Sequence, residues 1–320
     1  MKKTGLLLLL MVTATGVVAQ PAATTASAPD ASGIINTSAN VPFVRYQTPR
    51  AQDIYCAGFI SKDRIPDANY VNGGLETPVS TKFKLGEMLY LAGSGYQAGQ
   101  LYSIVRELKD VNEYEIFPGQ KKILAATGHP YGEIGRVRVV DTRNHSAIAQ
   151  VEFSCDAINP GDVAMPFVER PAIAFRAPGH FDRFAPASGK LSGRIVLAKD
   201  FDSELGTGMK VYMNMGSNQG VKVGDYFRVV RSYTATLGDP VDSLSFKTGP
   251  TEDTQMHPAT YEAGRFDKTK GPNIHVSDLP RRAVGEVVVL NVTPTASSAM
   301  IVFALEDVHA GDTVELDPQE

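Results

Sequence analysis

The chain contains no tryptophan, only two cysteines, and no apolar run of the ~20 residues a spanning helix needs. Its lysines and arginines form no cluster and its formal net charge is −4. Nucleic-acid binding, which relies on a basic footprint to displace counterions, is therefore not expected. The histidines, among them His129, His180 and His309, stand singly with no HxH or HExxH spacing, so no metal site is expected. No Gly-x-Ser-x-Gly elbow is present, and no Ser or Cys has an evident His partner. Asp200, Asp202 and Glu204 gather near a turn, but among 35 carboxylates this reads as solvated surface. Gly93-Ser-Gly95-Tyr-Gln-Ala-Gly99 follows a predicted strand without the helix a dinucleotide loop requires, so it is read as a turn and no cofactor is expected.

What is present begins with an address. Lys2 and Lys3 precede the apolar run Leu6 to Val12, and Gly16-Val-Val-Ala19 precedes Gln20. A charged start, a short apolar stretch and a small residue at the cut predict a signal peptide over residues 1–19. The apolar run is too short for a membrane anchor, and no cysteine follows it to carry a lipid. The expected location is the periplasm or cell envelope, with no transmembrane segment in the mature chain. Residues 20–52, rich in Ala, Thr, Ser and Pro, offer little apolar surface to offset ordering entropy and are expected to form a disordered leader.

The rest of the chain repeats itself. At a constant offset of 150 residues, Gly135 meets Gly285, Val137 meets Val287, Phe153 meets Phe303 and Asp162 meets Asp312. A second matched piece lies upstream, where Met88 to Leu91 and Leu101 to Arg106 correspond to Lys210 to Met213 and Tyr226 to Arg231. An internal repeat of this kind reports architecture before function. Short strands are predicted at Ala57 to Ser61, Met88 to Leu91, Leu101 to Arg106, Gly135 to Asp141, Ala147 to Phe153 and Val163 to Phe167. Their counterparts are Gly193 to Ala198, Lys210 to Met213, Tyr226 to Arg231, Gly285 to Asn291, Ser298 to Phe303 and Thr313 to Leu316. In Gly135-Arg-Val-Arg-Val-Val-Asp141, Val137 and Val139 take one face, while Arg136 and Arg138 take the wet one. Such strands, joined by Gly-rich turns, predict an all-β protein of two small barrels, which leave no exposed edges.

The first barrel domain is expected over residues 53–168 and the second over 190–320, the latter interrupted by a polar insertion at 232–283. A segment without period inside a compact domain is either a functional loop or disordered, and the sequence leaves both open. Between the domains, residues 169–189 form a Pro-rich linker carrying Phe175, Phe181 and Phe184, expected to lie as a strap against the barrels. Gly161 and Gly311 supply the positive φ of the closing turns, and Asp162 and Asp312 follow them as turn-stabilising carboxylates. Apart from that Asp, the matched residues are read as turn glycines and core valines.

Two cysteines in an exported chain most simply pair, Cys56 with Cys155. The repeat carries Cys155 onto Leu305, and an alignment of Gly58 with Gly193 carries Cys56 onto Leu191. This predicts a Leu191–Leu305 apolar contact in the second copy where the first has a covalent bridge.

Val211 to Asp225, the following Val229-Val-Arg231, Val284-Gly-Glu-Val-Val-Val-Leu-Asn-Val292 and Ala310-Gly-Asp312 resemble the C-terminal domain of flagellar assembly protein T. The Gly216-Ser-Asn-Gln-Gly-Val221 element is also similar to the β-domain of rod-shape protein C. The resemblance implies SH3-like barrels in bacterial envelope assemblies and no catalytic residues. The reading is a non-catalytic exported protein acting as a binding or scaffolding module among envelope proteins, with Phe181 and Phe184 as candidate partner-binding residues. The alternative is a cell-wall protein holding peptidoglycan between its barrels, and a hydrolase is the third reading.

Overall fold

A computed structural model describes residues 34–35, 44–74, 81–110, 115–143, 146–174, 176, 181–232 and 280–317. The predicted signal peptide, Phe175 and nearly all of the insertion lie outside the described residues. The described residues are all-β in architecture, with two six-stranded barrels and two short α-helices. The first ring runs β4 (Tyr70–Gly74), β5 (Met88–Ala92), β8 (Ser146–Ser154), β7 (His129–Arg143), β6 (Leu101–Glu107), β9 (Val163–Pro166) and back to β4. The second runs β10 (Ser192–Ala198), β12 (Lys210–Met213), β15 (Ser297–Ala304), β14 (Arg282–Val292), β13 (Tyr226–Arg231), β17 (Thr313–Leu316) and back to β10. The two orders coincide strand for strand, so the repeat seen in the residues is a repeat of topology. The small strands β11 (Glu204–Leu205) and β16 (Val308–His309) pair beside the second ring.

Alternating valines close each core. Leu89, Leu91, Ile104, Val137, Val139 and Ala149 fill the first ring, and Val211, Phe227, Val229, Val287, Val289 and Ile301 the second. One strand assignment changes. The segment around Gly58 is not the first strand of the ring; β3 (Phe59–Ser61) adds to the extended start of β7 outside the barrel. The true counterpart of β10 is β4. Val71 donates to the Asp162 carbonyl at 2.8 Å and accepts from the Gly161 amide at 2.8 Å, while Ile195 donates to Asp312 at 3.0 Å and accepts from Gly311 at 2.8 Å. A five-residue strand ending in Asn72-Gly73-Gly74 carries too little alternation to stand out from a turn.

The Leu191–Leu305 expectation fails for this reason. Leu191 packs on the interior of the second barrel, whereas Leu305 belongs to an apolar cluster on its outer face. The disulfide itself forms, 2.03 Å between sulfurs. It joins the end of helix α1 (Ala51–Tyr55), an element placed ahead of the ring, to the residue after β8. Cys155 and Leu305 remain equivalent, their amides donating to Ile134 at 2.8 Å and Val284 at 2.7 Å.

Ordered structure also begins before Asp53, within the expected leader. β1 (Ile34–Ile35) pairs with β2 (Val44–Arg45), and Tyr46 is buried against Phe303 on the second barrel. The strap follows the same outer face, burying Ile173 and Phe181 with Tyr46, Val288, Leu290 and Val302. This explains why β14 reads as a continuous apolar run. Leu290 is covered, whereas its counterpart Val140 is exposed.

The barrels are joined by a built seam, within the compact unit Ala31–Glu320. The β6–β7 connection carries helix α2 (Gln120–Thr127), whose Ile123 and Leu124 pack with Val196, Leu197 and Tyr212 of the second barrel. Phe117 and Ile116 cover Ala310. Buried Gln120 accepts from the Ile116 amide at 2.8 Å and donates to the Val196 carbonyl at 3.0 Å. Ser298 donates to the Gly58 carbonyl at 2.7 Å and Thr293 to Ile60 at 2.7 Å. Gly58 has φ +70, and a Cβ there would meet the Tyr212 hydroxyl at 2.3 Å, so close approach as well as backbone requires glycine.

Candidate functional site

The turn residues read from the sequence, Gly161, Asp162, Gly311 and Asp312, occupy equivalent places, and each Asp does bond its own turn. The Asn159 amide donates to Asp162 at 2.7 Å and the His309 amide to Asp312 at 2.8 Å. The carboxylates do more than this. Arg106 forks onto Asp162 at 2.7 and 2.8 Å and donates to the Ala157 carbonyl at 3.0 Å. Arg231 forks onto Asp312 at 3.0 and 2.8 Å and donates to Asp307 at 2.6 Å. The Asp is thus not the only polar residue kept in both copies; an arginine on β6 or β13 is kept with it. Bidentate geometry on a buried aspartate makes each a positional clamp on the barrel's closing strand, with Arg231 buried and Arg106 only partly so. Among the described residues neither pair lines the cleft of the first barrel or the one beside the strap.

A cleft of about 250 Å³ opens on the first barrel, with Asn291 and Thr293 of the second completing its wall. At one end Glu133 is buried. It accepts from the Gly58 amide at 3.1 Å and is gripped by both Nη atoms of Arg170, whose Nη1 also donates to Ile54 at 2.8 Å. Beside it stands Arg136. Its guanidinium carbon lies 4.9 Å from the Phe167 ring, 5.7 Å from Tyr55 and 5.8 Å from Phe153. Arg136 makes no side-chain hydrogen bond or ion pair among the described residues, and its Nε is buried without a partner. The sequence assigned it to the wet face; the rings of α1, β8 and the chain after β9 enclose it instead. Because these rings are distant in sequence, only the comparison of the copies carried a signal, Arg136 falling on Glu286 and Phe167 on Asp317.

The equivalent face of the second barrel is filled by the chain itself. Arg176 of the strap pairs with Asp317 at 2.6 Å and with Glu286 at 3.6 Å, lying 4.7 Å over Tyr226. Phe181 packs edge-on to Phe303, ring centres 4.9 Å apart, with Arg228 5.2 Å from Phe181. Burial pushes the Glu286 carboxyl up to about 8; the arginines pull it down, and the neighbouring Asp317 carboxylate adds to the rise. The folded state therefore holds a proton that the unfolded chain has released. Stability from this group is complete below the ordinary carboxyl value of 4.5 and declines as pH rises toward 8. Glu286→Gln is expected to remove that decline, measured as the urea midpoint at pH 5 and pH 8.5. An unchanged slope would show that Glu286 remains ionised beside Arg176.

Of the two strap phenylalanines predicted to bind a partner, Phe181 is buried against Phe303. Phe184 is 53% exposed and retains that possibility. Among the described residues no group of three or more His, Cys, Asp or Glu could hold a metal ion, and no helix is long and apolar enough to cross a membrane. Comparison with models of known protein families and with curated proteins finds no match to this chain.

Proposed function

We propose that this protein is a non-catalytic, exported component of the bacterial cell envelope that serves as a rigid binding and scaffolding module. The observation that carries the reading is the seam. α2 and β3 lock two homologous barrels into one block, and the strap and leader cover one outer face, so the exposed faces are held at fixed spacing. The disulfide suits an oxidising compartment, and the residue likeness to flagellar assembly protein T favours an assembly role. A second reading, a cell-wall ligand-binding protein, is favoured by one specific feature, the aromatic-walled cleft in which charged groups converge.

Cell fractionation with intact-mass measurement tests the export step. The expected species is a periplasmic chain cut after Ala19, with no free thiol. An uncut, cytoplasmic, reduced chain would refute it. A photo-crosslinking residue at Phe184 or Val168, both exposed, is expected to capture a discrete envelope component, and the absence of any adduct from either position would count against a scaffolding role.

A further inference from the structure

We propose that the cleft around Arg136 binds a carboxylate carried next to an apolar or aromatic group, as at the end of a peptide chain. This rests on the binding-module reading and names the chemistry of its ligand.

The duplication supplies the argument. On the second barrel, the face made by Arg228, Glu286, Phe303 and Asp317 is occupied by the strap, which brings one charge and one ring: Arg176 for the carboxylates and Phe181 for Phe303. The corresponding positions on the first barrel are Ser103, Arg136, Phe153 and Phe167, and all four line the cleft. Phe153 is kept where Phe303 is, while the carboxylate positions have become a guanidinium and a ring. The receptor face is the same, but its acidic positions now hold a guanidinium and a ring, and Ser103 stands where Arg228 bridges Asp317. The second barrel is matched by a cation beside a phenyl ring; the first is complementary to an anion beside an apolar group.

The electrostatics agree. Glu133 and Arg170 neutralise each other in the cleft, leaving Arg136 as the uncompensated charge. Three rings support the guanidinium by cation–π contact, a role in which the planar group keeps its N–H edge for hydrogen bonding. A carboxylate accepts two parallel N–H bonds from such an edge. The volume, about 250 Å³, suits a terminal residue rather than a long chain.

The test is NMR titration of the arginine Nε–Hε signals of the purified full-length protein with N-acetyl-phenylalanine, its amide and inorganic phosphate. The free acid is expected to shift the Arg136 signal saturably, and the amide to bind at least roughly tenfold more weakly, because charge-assisted bonds are lost. Arg136→Gln is expected to abolish binding of the acid, while the buried Arg231 signal, unmoved, reports an intact fold. Should Arg136→Gln disturb Arg231, Arg136→Lys keeps the charge without the fork and is expected to weaken binding. A dipeptide whose only carboxylate is a glutamate side chain identifies the source: preference for it assigns an internal acidic residue, and preference for N-acetyl-phenylalanine a chain end, both supporting the proposal. Equal binding of acid and amide, tighter binding of phosphate, no saturable shift, or undiminished binding by a folded Arg136 variant would overturn it. The titration needs no envelope partner, so it fails independently of the crosslinking experiment.

Discussion

Asp312→Ala is expected to lower the free energy of unfolding by about 3 to 5 kcal/mol, read from urea denaturation followed by circular dichroism. The substitution removes the fork from the Arg231 guanidinium, whose side chain is 6% exposed, while the Asp307 carbonyl and Glu306 at 4.0 Å remain beside it, and it removes the carboxylate that also holds the His309 amide. The main cost is the loss of the bidentate partner of a buried charge, so removing both groups is the informative control. Arg231→Met with Asp312→Leu is expected to recover most of the loss, since replacing a buried pair with apolar residues is often close to neutral. Asp162→Ala is expected to cost less. Arg106 is 33% exposed, so solvent screens it once its partner is gone. Equal losses of under 1 kcal/mol at both sites would mean that the turn glycines and the strand ladder close each ring without the clamp.

Breaking the disulfide is the second large effect. Cys56 and Cys155 are separated by 99 positions, and closing a loop of that length restricts the unfolded chain by about 4 to 5 kcal/mol in the chain-entropy account. Cys56→Ser with Cys155→Ser, or reductant on the natural protein, is expected to shift the urea midpoint accordingly. The loss has a local component as well. The bridge fixes the end of α1, and Tyr55, the residue before Cys56, forms a wall of the cleft. The double variant is therefore also expected to weaken N-acetyl-phenylalanine binding. A reduced protein as stable as the oxidised one would show that α1 is held by its noncovalent contacts, among them the 2.6 Å pair from Lys210 to Asp53.

Most of the architecture was legible in the residues because it rests on local rules. Period-two alternation placed β7, the 150-residue repeat carried β7 and β8 onto β14 and β15, and glycine before aspartate marked both closing turns. The cysteine pair needed only the export signal and a count. The segments that escaped are those whose conformation depends on distant partners. β4 is too short and too rich in glycine to show a period. α2 becomes a helix whose use is to dock on the other barrel, and nothing in residues 115–128 names that surface. The first-strand alignment went wrong because Gly58 and Gly193 are alike as residues, though only hydrogen-bond partners distinguish a ring strand from an added one.

By itself, then, the order of residues determined two all-β repeats, their core valines, their closing turns and the cysteine bridge, since each follows from backbone preference, side-chain alternation or chain chemistry within a short window. The tertiary structure alone decided that Arg106 and Arg231 clamp the closing aspartates, that Phe181 is buried, and that Arg136 stands among three rings in a cleft. These outcomes depend on which surfaces meet after the rings have closed. Two copies with the same periodicity share their interiors, but what covers the outer face of each is set by contacts between separate elements of the chain.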